Sequence, residues 1–232
     1  MMESDISIVV LSLQIALIAT AVTVPVAMLV ALLLSRKNFR GRFVLDVFVS
    51  LPLALPPVVI GYVLLWIVGT NSWLGQLEKL LFGSTIAFTW IAAALAAGVV
   101  SLPLIVRSFT VALDGVDPRL EAAARGLGAG PLRVFFAVTL PLAYRGVIAG
   151  SLLGFVRALS EFGATIVVAG NIPGQTQTVP SAIFTRISSG DMDAAWRLAF
   201  VSIALAVVTL GVHNWLLRRA LGRMSSNSGI RQ

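Results

Sequence analysis

Apolar residues in this chain come in long runs separated by short polar connections, and the run lengths carry the first information. Five stretches, at about residues 8–34, 44–68, 85–106, 145–169 and 196–217, are dominated by Leu, Val, Ile, Ala and Phe. A helix needs about 20 apolar residues to cross a hydrocarbon layer about 30 Å thick, and these runs meet that length. A membrane barrel would instead show many alternating segments of about 10 residues, and none is visible. The pattern predicts an all-α integral membrane protein, with five transmembrane helices in one domain over residues 1–232. Pro25, Pro52, Pro56, Pro57 and Pro103 lie in or beside the runs. Membrane helices tolerate proline where neighbouring helices re-satisfy the carbonyls it frees.

Composition sharpens this picture. The chain is 58% apolar and only 12% charged, about half the charge of a soluble domain. With no cysteine, disulfides, thiolate catalysis and Cys-based metal sites are excluded. The single histidine, His213, falls near the end of the last run and reads as an interfacial polar group, not a metal ligand. The opening MMESDIS carries no basic flank, and the apolar run after it is longer than a signal peptide's core, so it is expected to stay as a helix.

The net charge of +7 raises nucleic acid as a partner until the charges are placed. Arg36, Lys37, Arg40 and Arg42 sit in the first connection, and Arg107, Arg119, Arg125, Arg133 and Arg145 in the third. Arg218, Arg219, Arg223 and Arg231 sit in the tail. These 13 cations fall on one side of a five-span plan, against Lys79, Arg186 and Arg197 on the other. Cytoplasmic loops carry the excess of Lys and Arg. The expected orientation is therefore N-terminus outside and C-terminus inside, with lipid and not nucleic acid as the surrounding partner.

Two connections are long. The outer one, 170–195, begins with turn residues at Gly170, Asn171, Pro173 and Gly174, and its apolar piece 180–187 is too short to span. The inner one holds a helix over 118–126, with Asp117 as N-cap, Pro118 in the first position and Glu121 near the positive end. Gly128, Gly130 and Pro131 end it, and a second amphipathic helix is predicted at 132–138 before Leu140 and Pro141. Two short helices joined by a glycine turn are expected to lie flat beneath the membrane. Ala122, Ala123 and Ala124 give the first a face with little bulk, suited to close approach by another protein. The same segment also suits an amphipathic hairpin resting on lipid headgroups.

The segment 121–141, EAAARGLGAGPLRVFFAVTLP, resembles the cytoplasmic loop by which ABC importer permeases grip their ATPase subunits. The family pattern runs E-A-A, three residues, G, nine residues, I, one residue, L-P. Gly128 leads after nine residues to Val138, then Thr139 and Leu140-Pro141. The position six before Gly128 is Ala122, so the glutamate is one residue early, and one residue turns a helical side chain by about 100°. Glu121 is thus expected to face away from the docking surface and to complement the helix N-terminus. The resemblance assigns ATPase coupling to Glu121, Ala122, Ala123, Ala124, Gly126, Gly128, Leu140 and Pro141.

The segments LPLALPPVVIGYVLLW at 51–66 and RALSEFGATIVVAGNIPGQTQTVPSAIF at 157–184 are similar to those of molybdate and tungstate permeases. Sulfate permeases carry related patterns on longer chains. The resemblance implies a multi-pass permease of the bacterial inner membrane that imports molybdate or tungstate. It implies a homodimer, two cytoplasmic ATPase subunits, an external oxyanion-binding protein and no cofactor. A sulfate or thiosulfate permease is the alternative, followed by a stand-alone channel or gradient-driven carrier.

The chain has no P-loop. Its only lysines, Lys37 and Lys79, follow Arg36 and Glu78, whereas a P-loop lysine follows glycine to reach the nucleotide phosphates. The chain is not expected to be an enzyme; ATP hydrolysis would belong to a partner. Arg157 and Glu161 stand four apart on the fourth run, an internal ion pair or a pore-side element. No second acidic partner follows, as a proton relay would require. Thr165, Thr176, Thr178 and Ser181 are the hydroxyls available to an oxyanion near the outer side, and polar loop residues are also simply solvated.

Overall fold

The computed structural model describes residues 2–36 and 40–228. Lys37 and Arg231, counted among the clustered cations, lie outside the described residues, as do the side chains of Arg36, Arg218, Arg219 and Arg223. Every regular element among the described residues is helical. The chain runs α1 (Met2–Arg36), α2 (Arg42–Ala54), α3 (Pro57–Val68), α4 (Trp73–Phe82), α5 (Trp90–Asp114) and α6 (Pro118–Gly126). It continues as α7 (Pro131–Val134), a π-helical turn (Phe135–Thr139), α8 (Leu140–Leu159), α9 (Gly163–Val168), α10 (Val179–Ser188) and α11 (Met192–Ser228).

Among the described residues four helical stretches are long and apolar enough to cross a membrane: Asp5–Ser35, Trp90–Asp114, Pro131–Leu159 and Met192–Trp215. A fifth span is available if α2 and α3 together make one crossing, although they bend by 114° at their junction. That bend replaces the single run expected at 44–68. Pro56 and Pro57 explain it, because a proline gives no amide hydrogen to the preceding turn and disfavours helix in the residue before it.

α5 is the centre of the molecule: 61% of its apolar window is buried against the chain, compared with 11% for α11. Alanines permit the contact with α1, where Ala16, Ala27, Ala31, Ala92, Ala93, Ala96 and Ala97 are all fully buried. In lipid, small residues let helix backbones close up where no hydrophobic gradient drives them together.

The same logic joins α5 to α8. Gly146, Gly150 and Gly154 recur every four residues, so they share one face. Cβ atoms built there would lie 2.5 Å from Ala112 Cβ, 2.6 Å from Ser108 Cβ and 2.3 Å from Ile105 Cγ1. This G-x-x-x-G-x-x-x-G stripe, Gly146, Gly150 and Gly154, is plain in the sequence.

The third and fourth spans are displaced from their expected limits. Residues 85–89 form a turn, in which Phe88 takes a left-handed φ of 61° and its amide donates to Val168 O at 3.0 Å. The helix then starts at Trp90 and runs on to Asp114. The fourth span starts early, because α7, the π turn and α8 form one continuous stretch, Pro131–Leu159. The predicted second loop helix is therefore the opening of this stretch and not a separate element. Pro141 has no amide hydrogen for the previous turn, and the wider π turn falls just before it, with Leu140 N donating to Phe135 O. The fourth span also ends early, at Leu159, and 163–168 forms the separate helix α9.

Side-chain ties hold the periphery. His213 Nδ1 lies 2.8 Å from Ala149 O, so this half-buried residue ties α11 to α8. At the other end of α11, Arg186 and Arg197 converge on Asp5, joining α1, α10 and α11.

Candidate functional site: the α6 loop and the paired helix breaks

Asp117 caps α6 as expected, its carboxylate accepting from Arg119 N at 2.9 Å, and Pro118 opens the helix. At the far end Ala129 N donates to Ala124 O at 3.1 Å and Gly128 N to Arg125 O at 2.9 Å. That pair of bonds is a Schellman cap, which needs a left-handed residue at its turn. Gly128 supplies it with φ 86°.

Glu121 differs from expectation. Its side chain is buried, its Oε1 accepting from Thr139 Oγ1 at 2.5 Å and its Oε2 pairing with Arg125 at 3.3 Å. The carboxylate thus straps α6 to the π turn instead of standing in solvent by the helix N-terminus. The one-residue offset explains the direction: with Glu121 turned inward, Ala122 and Ala123 are exposed and Ala124 is half-buried. Gly126, Gly128 and Pro141 are exposed, and Leu140 is half-buried. Large apolar side chains surround this face, with Leu127 90% and Leu132 74% exposed. A bare alanine patch with projecting leucines can receive a complementary protein groove.

The second group of candidates lies where two broken helices meet. A Cβ on Gly163, at the start of α9, would sit 2.9 Å from Pro57 Cβ at the start of α3. One on Gly61 would sit 2.6 Å from Ala164 O. The breaks α2/α3 and α8/α9 are therefore side by side. Non-helical backbone at membrane depth is tolerated where it is buried or lines a water-filled cavity.

Arg157 and Glu161 do pair, at 2.8 Å, across the end of α8. Glu161 is 2% exposed, and its other oxygen accepts from Ala164 N at 2.8 Å, capping α9. One carboxylate thus stabilises both sides of the break.

The hydroxyl candidates are buried and bonded to the chain itself. Thr165 donates to Phe162 O at 2.9 Å, and Thr176 accepts from Ile172 N at 3.0 Å. Thr178 and Ser181 form a capping box on α10, with Ser181 Oγ accepting from Thr178 N at 2.9 Å. Ser12 on α1, not anticipated from sequence, accepts from Val179 N at 2.8 Å and seats α10 against α1. These hydroxyls shape the segment 165–181 and seat α10. Among the described residues no cluster of three His, Asp or Glu side chains could hold a metal ion.

Comparison with known proteins agrees with this architecture. The family described as binding-protein-dependent transport system inner membrane component matches residues 23–222. The molybdenum transport system permease protein ModB of Escherichia coli K12 is 49% identical over 90% of this chain and 92% of its own length. Its counterpart in Haemophilus influenzae is 44% identical over 93% and 94%. The sulfate transport system permease protein CysT of Salmonella typhimurium is 38% identical, over 83% of this chain and 69% of its own. Among solved structures, an inward-facing MetNI methionine ABC transporter superposes with a TM-score of 0.67 at 15% identity, covering 94% of this chain and 95% of that one; this likeness concerns the fold. The chain is a multi-pass membrane protein and belongs to the family of binding-protein-dependent transport system inner membrane components.

Proposed function

We propose that the chain is the transmembrane subunit of an ATP-driven importer that carries molybdate, or tungstate, across the bacterial inner membrane. The observation that carries this reading is the 49% identity to a molybdenum permease over nine-tenths of both chains. In this reading two copies form the path between them, with the N-terminus outside and the C-terminus in the cytoplasm. Two ATPase subunits dock on α6, over Ala122, Ala123 and the Gly128 turn, and an external binding protein delivers the oxyanion. The α2/α3 and α8/α9 breaks lie along the path, and Arg157–Glu161 fixes the second of them. The chain carries no ATP site of the P-loop kind, so hydrolysis belongs to the partner.

The 38% identity to a sulfate permease favours sulfate or thiosulfate as the second reading. The match covers 69% of that sulfate permease, compared with 92% and 94% of the Escherichia coli and Haemophilus influenzae molybdenum permeases. Purifying the assembly with its ATPase and binding protein and measuring ATP hydrolysis separates the two. Molybdate-loaded binding protein should stimulate hydrolysis and sulfate should not; stimulation by sulfate alone would overturn the assignment.

A further inference from the structure

A cleft of about 440 Å³ opens between the end of α1, the start of α2 and the second half of α5. Arg40, Arg42 and Arg107 line it, with Asp46, Leu34 and Phe43. Asp46 is engaged with Arg107 at 3.0 Å, and Arg107 also donates to Ser50 at 2.8 Å. Among its described lining residues the cleft carries three guanidinium groups and one carboxylate. It lies apart from the α6 face and from the paired helix breaks.

Its depth follows from helix geometry. From Trp90 to Arg107 α5 rises about 26 Å, nearly the thickness of the hydrocarbon core. Tryptophan favours membrane boundaries, so with Trp90 at one boundary Arg107 stands at the opposite one. The helix then climbs about 10 Å more to Asp114 before turning into α6. The cleft is thus at headgroup level, and α6 is beyond it. The lining changes character in the same direction: Leu34 and a 77% exposed Phe43 offer apolar surface beside the arginines. Acyl chains and a phosphodiester meet in that order at a bilayer surface. Basic pockets between membrane helices on the cytoplasmic side bind anionic headgroups, and guanidinium forks match phosphate oxygens in pairs.

We propose that the cleft formed by Arg40, Arg42 and Arg107 at the α1–α2–α5 corner binds the phosphodiester headgroup of an anionic phospholipid. Arg40 and Arg42 supply the charge that selects an anionic over a zwitterionic lipid, and Asp46, paired with Arg107, offsets part of it. This site does not depend on which ion the protein carries.

The test is native mass spectrometry of the full chain in its purified assembly, equilibrated with mixed micelles of phosphatidylglycerol and phosphatidylcholine. Phosphatidylglycerol should be retained preferentially, and the preference should fall roughly tenfold in the double variant Arg40→Gln, Arg42→Gln. Arg133→Gln, a cation outside the cleft, should leave it unchanged, and Asp46→Asn should strengthen it. An excess of inorganic phosphate should not displace the lipid. Undiminished preference in the double variant, an equal loss in Arg133→Gln, or displacement by phosphate would each overturn the proposal. Should the double variant fail to assemble, a weakened preference in Asp46→Asn would overturn it independently.

Discussion

Glu121 uses its hydrogen-bonding capacity inside its own chain, and this decides what its loss would do. Thr139 is 2% exposed, so removing either partner strands a polar group in a place water does not reach, at a cost of about 1–3 kcal/mol. The Arg125 contact adds little, because that side chain is 60% exposed and exposed pairs contribute at most about 1 kcal/mol. We predict that Glu121→Ala and Thr139→Val each lower the thermal midpoint of the purified protein, that the double variant costs little more than either, and that Glu121→Gln is mild. Additive losses would show that the two side chains do not act as a pair. The exposed alanine next door answers differently: Ala123→Glu should leave the thermal midpoint in place while abolishing ATPase stimulation, and normal stimulation would remove that face from the interface.

This direction was partly legible in the sequence. The spacing to Gly128 showed that Glu121 is out of register with the outward face. It could not show what the carboxylate meets, because Thr139 is brought there by a π turn. That turn answers a proline two residues later and has no periodic signature of its own. The Arg157–Glu161 pair was legible from its spacing alone. The hydroxyls of 165–181 were visible as residues, but their partners are backbone groups placed by tertiary packing.

Between elements, glycine does two unlike jobs. At Gly128 a Cβ would have open space, but the φ of 86° strains any branched side chain. Leaving the left-handed region to non-glycine residues costs about 1–2 kcal/mol, with Asn best tolerated. Gly128→Leu should therefore impair ATPase stimulation and Gly128→Asn largely preserve it, measured on assemblies recovered from membranes in equal amount; equal behaviour of the two would place the effect elsewhere. On the α8 stripe the backbone is ordinary and the space is absent. Gly146→Val would drive α8 from Ala112, whose Cβ moves only with its backbone, and should sharply reduce recovery of folded protein from membranes. Gly211→Val on α11, where nothing lies within 4 Å, is the matched control and should be recovered normally. The existence of the long helices was readable from run length; α4 and the breaks in the spans were not. Pro56–Pro57 was visible but tolerable in a straight span, and the stop at Ser160 has no proline at all.

For the whole molecule, direction across the bilayer is carried by charge, because the fold is the same either way up. The orientation proposed from the cation asymmetry expects fusions after residue 38, residue 130 and the C-terminus to report inside, and those at 76 and 176 to report outside. Reporter fusions at these five points should read in that pattern. A cytoplasmic signal at 76 would mean that α2 and α3 enter and leave on one side, which their 114° bend makes a meaningful alternative.

The continuity of Pro131–Leu159 has a mechanical consequence. Its 29 residues make a rod about 43 Å long, rooted beside α6 at one end and stopping at the α8/α9 break at the other. A rod pivoting at its middle through about 10° shifts each tip by about 4 Å, in opposite senses. The pivot is well placed, since the glycine stripe lets α8 roll on α5 with no side chains to unlock. A push on α6, transmitted through the Glu121–Thr139 strap, would therefore arrive reversed in sign at Arg157 and Glu161. The compliant point along the way is the π turn, so its stiffness sets how much of the stroke is delivered.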